Sequence, residues 1–252
     1  MKSLIICLFI FTLTACSSKG GPSTTVTVQM TSEPVTLDFS LAEDGLALRV
    51  LNLLMSGGMR YDGESQLQNE MAESFENVHA AKYRMKLKPW KWSDGVPVRA
   101  QDYLFGLKRT LDPKAPSKLA DLLYFIKGAL AYRQGKIADF SKVGVRAVDE
   151  RTLEFELVGD FSFFPHLFTL SMTLPQREDI FNKFGATWPR HTPVTGPYRI
   201  ASWEHDQVMH LEKNPEYPLW KTSYPEKLDL RVIADDSTAV NLFENGKLDL
   251  VF

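Results

Sequence analysis

Residues 91–109 read KWSDGVPVRAQDYLFGLKR, and the way they change period sets the architecture of the chain around them. Trp90 and Trp92 alternate with Lys91 as strand residues do, so both indoles face one side. Ser93, Asp94 and Gly95 then supply a tight turn, because Ser and Asp bond nearby backbone and glycine tolerates unusual φ values. From Ala100 the spacing becomes helical: Tyr103, Leu104, Leu107 and Leu111 share a face, and Asp112-Pro113 ends the run.

The same two periods recur on both sides. In KYRMKLK (82–88), Tyr83, Met85 and Leu87 fall opposite Lys82, Arg84, Lys86 and Lys88, which predicts a strand with one buried face. RTLEFEL (151–157) repeats the pattern with Leu153, Phe155 and Leu157. TVTVQ, VMHLE and KLDLRVIA, near residues 26, 210 and 230, are further strands. EDGLALRVLNLLMSGG (43–58) predicts a helix with Leu46, Val50, Leu53 and Leu54 on one stripe, Asp44 as cap and Gly57 as terminator. DSTAVNLFENGK (236–247) predicts another, capped by Asp236 or Ser237 and closed by Gly246. Strands and helices alternate without a regular βαβ rhythm, so the class is α/β or α+β with more than one lobe.

Length and charge narrow the function. With 252 residues and 44% hydrophobic content the chain can bury a sizeable core. Its 29 Lys+Arg nearly balance 31 Asp+Glu, so no long-range field favours nucleic acid. The opening MKSLIICLFIFTLTAC joins one lysine to an apolar run from Leu4 to Leu13, the pattern of an export signal over residues 1–15 and too short for a membrane span. Leu13-Thr14-Ala15-Cys16 resembles the bacterial lipobox, which implies cleavage before Cys16 and lipid on that residue. A chain cut there loses Cys7 and has no cysteine pair for an internal disulfide. SSKGGPSTT (17–25) has the composition of a flexible tether, so residues 16–25 hold the body off a membrane surface.

Few residues offer chemistry. His79, His166, His191, His205 and His210 lack metal-ligand spacing, Gly20-Gly21 and Gly57-Gly58 lack the spacing of a phosphate-cradling loop, and no GxSxG elbow occurs. No metal and no cofactor is expected. The acids Glu33, Asp38, Asp94 and Asp206 are scattered, and sequence cannot put two of them across a cleft. FSFFPHLF (161–168) is read as core in preference to a ligand-stacking surface, with Pro165 suited to a first helical turn.

Residues 91–109 also look like the signature region of the oligopeptide-binding lipoproteins of ABC importers, extracellular solute-binding protein family five. SEPVTLD (32–38), VGVRAVDERTLEFEL (143–157), PVTGPYRI (193–200), NPEYPLW (214–220) and DDSTAVNLFENGKLDLVF (235–252) resemble further family segments in the same order. Two positions depart from the pattern. Arg99 stands where relatives often place a capping Thr, and Thr195 where peptide binders often have Asn, which leaves the ligand class open.

The resemblance implies a periplasmic binding protein-like type II clamshell, represented by its first lobe (26–56 and 161–252) and an inserted subdomain (57–160), with the second lobe missing. It implies capture of an oligopeptide or other small solute outside the cytoplasmic membrane, without catalysis, and delivery to an ABC transporter permease. Ser32, Glu33 and Val35 would lie on the rim, where relatives pair their backbone with an extended peptide, and Gly196 is a weaker candidate that serves the backbone turn. Lys247 to Phe252 is read as a closing strand, after which the chain stops; a truncated frame or natural half-protein is expected in preference to a complete fold. The alternatives are a non-transporting lipoprotein that acts as an interaction module, and a secreted hydrolase.

Overall fold

The computed structural model describes residues 25–251, so the expected signal peptide, Cys16 and the bulk of the tether lie outside the described residues. The first elements are β1 (Thr25–Met30), α1 (Gly45–Leu54), β2 (Met59–Tyr61), β3 (Leu67–Asn69), β4 (Ala72–His79), β5 (Lys82–Leu87) and α2 (Ala100–Leu111). Next come α3 (Ala129–Arg133), β6 (Val145–Asp149), β7 (Thr152–Glu156) and α4 (Glu178–Phe184). The last are β8 (Tyr198–Glu204), β9 (Val208–Lys213), β10 (Lys227–Val232) and α5 (Asp236–Glu244).

Two four-stranded sheets and a hairpin organise them: β1-β10-β9-β8, β4-β5-β7-β6, and β2-β3. In the first sheet β1 and β10 run parallel, while β10-β9 and β9-β8 are antiparallel. The second sheet is antiparallel throughout. One hydrophobic core runs continuously from Met30, through Met85 and Phe155, to Leu230.

The alternating strands behave as their period requires. Tyr83, Met85 and Leu87 of β5 are buried and Arg84 and Lys86 between them exposed; Leu153 and Phe155 of β7 pack on the same side. Phe164 and Phe168 close this layer, with ring centroids 5.2 Å from Phe155 in both cases. Such edge-to-face pairs add about 0.5–1.5 kcal/mol each beyond area burial. Of the stretch 161–168 only Phe164, Leu167 and Phe168 are core; Phe161 packs at its margin and Phe163 stays 41% exposed beside Phe125.

Helix α2 buries Tyr103, Leu107 and Leu111 completely. Arg99 provides no side-chain cap, and Asp102 supplies the fastening: its Oδ2 accepts from Arg99 N–H and from Trp92 Nε1–H, both at 3.0 Å. Trp92 is thus tied to the first turn of the helix that follows it. On the helix's next turns, Arg109 donates to both oxygens of Asp38, at 3.2 and 2.8 Å, while its guanidinium lies 4.3 Å from the Phe181 ring centroid.

Several local expectations need correction. Asp44 caps α1, accepting from Ala47 N–H at 2.8 Å, but Ala47, Val50, Leu51 and Leu54 are the buried positions while Leu46 and Leu53 are only half-buried. The helix ends in extended backbone at Met55, two residues before Gly57. Gly57 has another task, since a Cβ there would lie 2.6 Å from the Phe168 carbonyl oxygen. Helix α5 is capped by Asp235 instead of Asp236 or Ser237, and Gly246 follows it at φ +64° as expected. Among the described residues the closing segment forms an isolated parallel bridge, Val28 to Leu250, with Asp249 N–H donating to Thr27 O at 2.8 Å and Gln29 N–H to Leu250 O at 3.0 Å, where a full strand was expected.

Candidate functional site

Segment 31–40 leaves the sheet at the end of β1, bends at Thr31, Ser32 and Val35, and enters the core at Leu37. Pro34 is buried and confines Glu33 to extended backbone, because the proline ring clashes with a helical preceding residue. Ser32 is exposed and Val35 is 87% exposed. Among the described residues the backbone N–H groups of Ser32, Glu33 and Val35 have no hydrogen-bond acceptor. This strip presents open backbone N–H groups on either side of a buried proline.

Glu33 faces away from that opening, toward the turn between β8 and β9. Its Oε1 accepts from Trp203 Nε1–H at 2.7 Å and from Asp206 N–H at 2.8 Å, and its Oε2 lies 3.1 Å from His205 Nδ1. Asp206 reaches this position with φ at +60°, a left-handed conformation that Asp tolerates better than most residues. Partial burial works to raise the carboxyl's pKa, but the bonds from Asp206, His205 and Trp203 outweigh it and hold the group below its ordinary value.

Gly196 sits elsewhere. It precedes β8, whereas the Glu33 contacts lie at and beyond the strand's far end; seven residues of strand span about 20 Å. Gly196 is buried, its N–H donates to Leu54 O at 2.8 Å, and Asn214 Nδ2 donates to its carbonyl at 2.8 Å. A Cβ would approach the Leu54 carbonyl carbon and Met55 nitrogen to 2.6 Å. The glycine is required for contact with the end of α1, and the chain's bend at Gly196 and Pro197 needs no left-handed φ.

Around it lies a buried polar joint. Thr195 Oγ1 accepts from Ser56 N–H at 3.0 Å, and its carbonyl accepts from Trp90 Nε1–H at 3.0 Å. Ser56 Oγ–H and Gly57 N–H, each 3.0 Å away, donate to the two oxygens of Glu70. Burial dominates there and pushes the Glu70 carboxyl up despite both bonds. Tyr103 lies in the same interior; its buried hydroxyl has no partner among the described residues, and burial, then the charges of Glu70 and Asp102, push its pKa far up.

The structure therefore gathers Ser32, Glu33 and Val35 and separates Gly196 from them. Sequence reasoning missed Trp203 and Asn214, and named His205 and Asp206 only as a scattered histidine and a scattered acid. The Asn-Pro pair of NPEYPLW was the available signal for Asn214, whereas nothing local marked the others. No group of three or more His, Cys, Asp or Glu fit to hold a metal occurs among the described residues, and no described helix is long and apolar enough to cross a membrane.

An α/β body that leaves the backbone N–H groups of Ser32, Glu33 and Val35 open fits one side of a two-lobed binding protein. The chain belongs to the family described as "Bacterial extracellular solute-binding proteins, family 5 Middle", whose model matches residues 66–252. It is 30% identical to the "Oligopeptide-binding protein OppA" of Bacillus subtilis (strain 168), covering 98% of this chain and 48% of that protein. It is also 30% identical to the "Probable deoxycholate-binding periplasmic protein YgiS" of Escherichia coli (strain K12), over 88% of this chain and 42% of that one. Among solved structures, the substrate-binding domain of an oligopeptide ABC transporter from Bacillus anthracis str. Ames superposes with TM-score 0.86 at 31% identity, over 91% of this chain and 45% of that one.

The chain thus spans about half the length of the relatives it matches, and its fold is a partial type II clamshell. The family is one of extracellular solute-binding proteins, not of enzymes. That sets aside the hydrolase alternative. Three of its candidate acids are also engaged: Asp38 by Arg109, Asp94 by Arg177 at 3.0 Å, and Glu33 by the β8–β9 turn.

Proposed function

We propose that this chain supplies one ligand-facing half of an oligopeptide-capturing component of an ABC importer, working outside the cytoplasmic membrane and delivering its cargo to the permease. The observation that carries the reading is the strip 32–35. Its free backbone N–H groups can pair with an extended peptide in the manner of an added strand, and that mode gives affinity with little demand on peptide sequence. Ser32, Glu33 and Val35 contribute backbone to this pairing; Gly196 supports the scaffold behind it. Lipid on Cys16 and the tether 16–25 would hold the body near the permease. Residues 26–56 and 161–252 would form the first lobe around the β1-β10-β9-β8 sheet, with 57–160 as a subdomain around β4-β5-β7-β6.

A clamshell binds by enclosing its ligand from two sides. If micromolar capture corresponds to about −8 kcal/mol, half of the contact leaves about −4 kcal/mol, a millimolar affinity. The test is a titration of the 15N-labelled chain with short peptides and, in parallel, deoxycholate. Peptide-induced shifts at Ser32, Glu33 and Val35 with affinity of about 1 mM support the proposal. Binding of deoxycholate alone would move the ligand class, and no binding of either at several times about 1 mM would remove the capture function.

A second reading is favoured by a separate observation. Between α1 and the β1/β10 edge runs an apolar trough of about 400 Å³ lined by Val28, Leu46, Leu53, Leu228 and Leu250, and α5 leaves Phe243 50% exposed nearby in sequence. Apolar surface of this kind suits a protein partner. In this reading the chain is an interaction module that seats a complementary polypeptide. Co-expression with the unmatched half of a relative would recover a stable pair, and a chain that stays monomeric beside it would rule the module out.

A further inference from the structure

The geometry points to the Glu33 carboxylate as a positioning latch: through Trp203, His205 and Asp206 it fastens the 32–35 edge to the β8–β9 turn, and its side chain does not serve as a ligand contact. This rests on the proposed peptide-pairing role of the edge and assigns it the residues that hold it ready. Three donors from the end of β8 and the turn that follows it converge on a single carboxylate: an indole N–H, a backbone N–H and an imidazole nitrogen. Two of them share Oε1, at 2.7 and 2.8 Å, while His205 takes Oε2, so both oxygens face the turn. The His205 ring also packs against Trp203 with centroids 4.8 Å apart, which sets the indole over the carboxylate.

The latch is needed because the edge has little else. Ser32, Glu33 and Val35 donate no backbone-to-backbone hydrogen bond among the described residues, and the buried Pro34 anchors them. A strip without ladder bonds that is to receive a strand must be ordered beforehand, or the ligand must order it on binding. Glu33 secures the backbone from the side while leaving its N–H groups open. The resulting residues of interest are Trp203 and Asp206, which no ligand need touch.

The experiment uses the whole 252-residue chain. 15N relaxation would be measured at Ser32, Glu33 and Val35 in the wild type, Glu33→Ala, Glu33→Gln and Trp203→Phe. In the wild type these amides are expected at order parameters of about 0.85, falling below about 0.6 in Glu33→Ala, with β5 and β7 unchanged and urea midpoints held. Trp203→Phe should loosen the same residues to a smaller degree, and Glu33→Gln, which keeps an acceptor oxygen, should restore part of the order. The wild-type Trp203 indole N–H resonance should move as Glu33 is protonated, and lose that response in Glu33→Gln.

Unchanged order in Glu33→Ala, or an indole signal indifferent to Glu33, would overturn the latch. Where the wild type binds peptide, Glu33→Ala should weaken it at least about tenfold, since each backbone residue ordered anew costs about that factor. A wild type that binds no peptide while the loop still loosens would fail the functional reading and leave the latch standing.

Discussion

Strand β8 has a glutamate-centred joint at each end. Near its start, Glu70 accepts from Ser56 and Gly57 behind Thr195 and Gly196; beyond its finish, Glu33 accepts from Trp203 and Asp206 beside His205. Both carboxylates take a backbone N–H and a side-chain donor at 2.7 to 3.0 Å. Their pKa values nevertheless move in opposite directions, up for Glu70 and down for Glu33. Hydrogen bonds to the charged form win where water still reaches the group, and lose where the group is sealed. The buried joint therefore favours the protonated carboxyl, and the exposed one fastens segment 32–35 as a carboxylate.

Asp38 marks the outer limit of this comparison, being as buried as Glu70 but answered by a cation. Its carboxylate accepts from Arg109 at 2.8 Å, Trp188 at 3.1 Å and Ser40 N–H at 3.0 Å. Arg109→Ala strands that charge and removes the guanidinium from the Phe181 and Trp188 rings. We expect a loss of about 3–5 kcal/mol in urea unfolding, the range for breaking a buried pair from one side. A loss below about 1 kcal/mol would mean the pair is not desolvated in solution.

The next effect belongs to the buried end of β8. Gly196→Ala places a Cβ 2.6 Å from backbone atoms of Leu54 and Met55, which no side-chain rotation relieves. A cost of about 1–3 kcal/mol is expected from thermal or urea unfolding, typical of overpacking. The same change should leave order at Ser32 and Val35 intact, because the two joints are a strand's length apart. Loss of order at the edge would show the joints to be coupled.

How much of this was legible in the sequence follows from where each signal is stored. Strands β5 and β7 and helix α2 were readable because each buries one clean face: Tyr83, Met85 and Leu87, then Leu153 and Phe155, then Tyr103, Leu107 and Leu111. Strands β4 and β8 escaped the same reasoning, since β4 fully buries only Ala72 and β8 only Tyr198, leaving no alternation to see. The edge residues Ser32, Glu33 and Val35 were reached through family resemblance. The role of Glu33 was out of range, because its indole partner is 170 positions away. Gly196 was misread for a related reason: a glycine needed for close approach looks, in sequence, like a glycine needed for a turn.

Acid–base titration gives the smaller effects, and their signs separate the joints. The folded chain holds the Glu70 proton more tightly than the unfolded chain does, so stability should fall as pH rises above the ordinary value of 4.5. Glu70→Gln removes that proton from the comparison. Relative to wild type it should gain stability toward neutral pH, at no more than about 1.4 kcal/mol per pH unit. An unchanged difference in urea midpoints between acid and neutral solution would mean that water reaches Glu70.

For Glu33 the sign reverses. The folded chain holds this proton less tightly, so its contribution is complete above the ordinary value of 4.5 and fades as pH falls through the lowered folded value. Glu33→Gln should therefore lose slightly against wild type at neutral pH and converge with it in acid, by an amount small enough that only paired unfolding curves resolve it. The same acid range should loosen residues 32–35, because protonating the carboxyl weakens its bonds to Trp203 and Asp206 together. An edge equally ordered across that acid range would mean that packing of Pro34, and not the carboxylate, holds it.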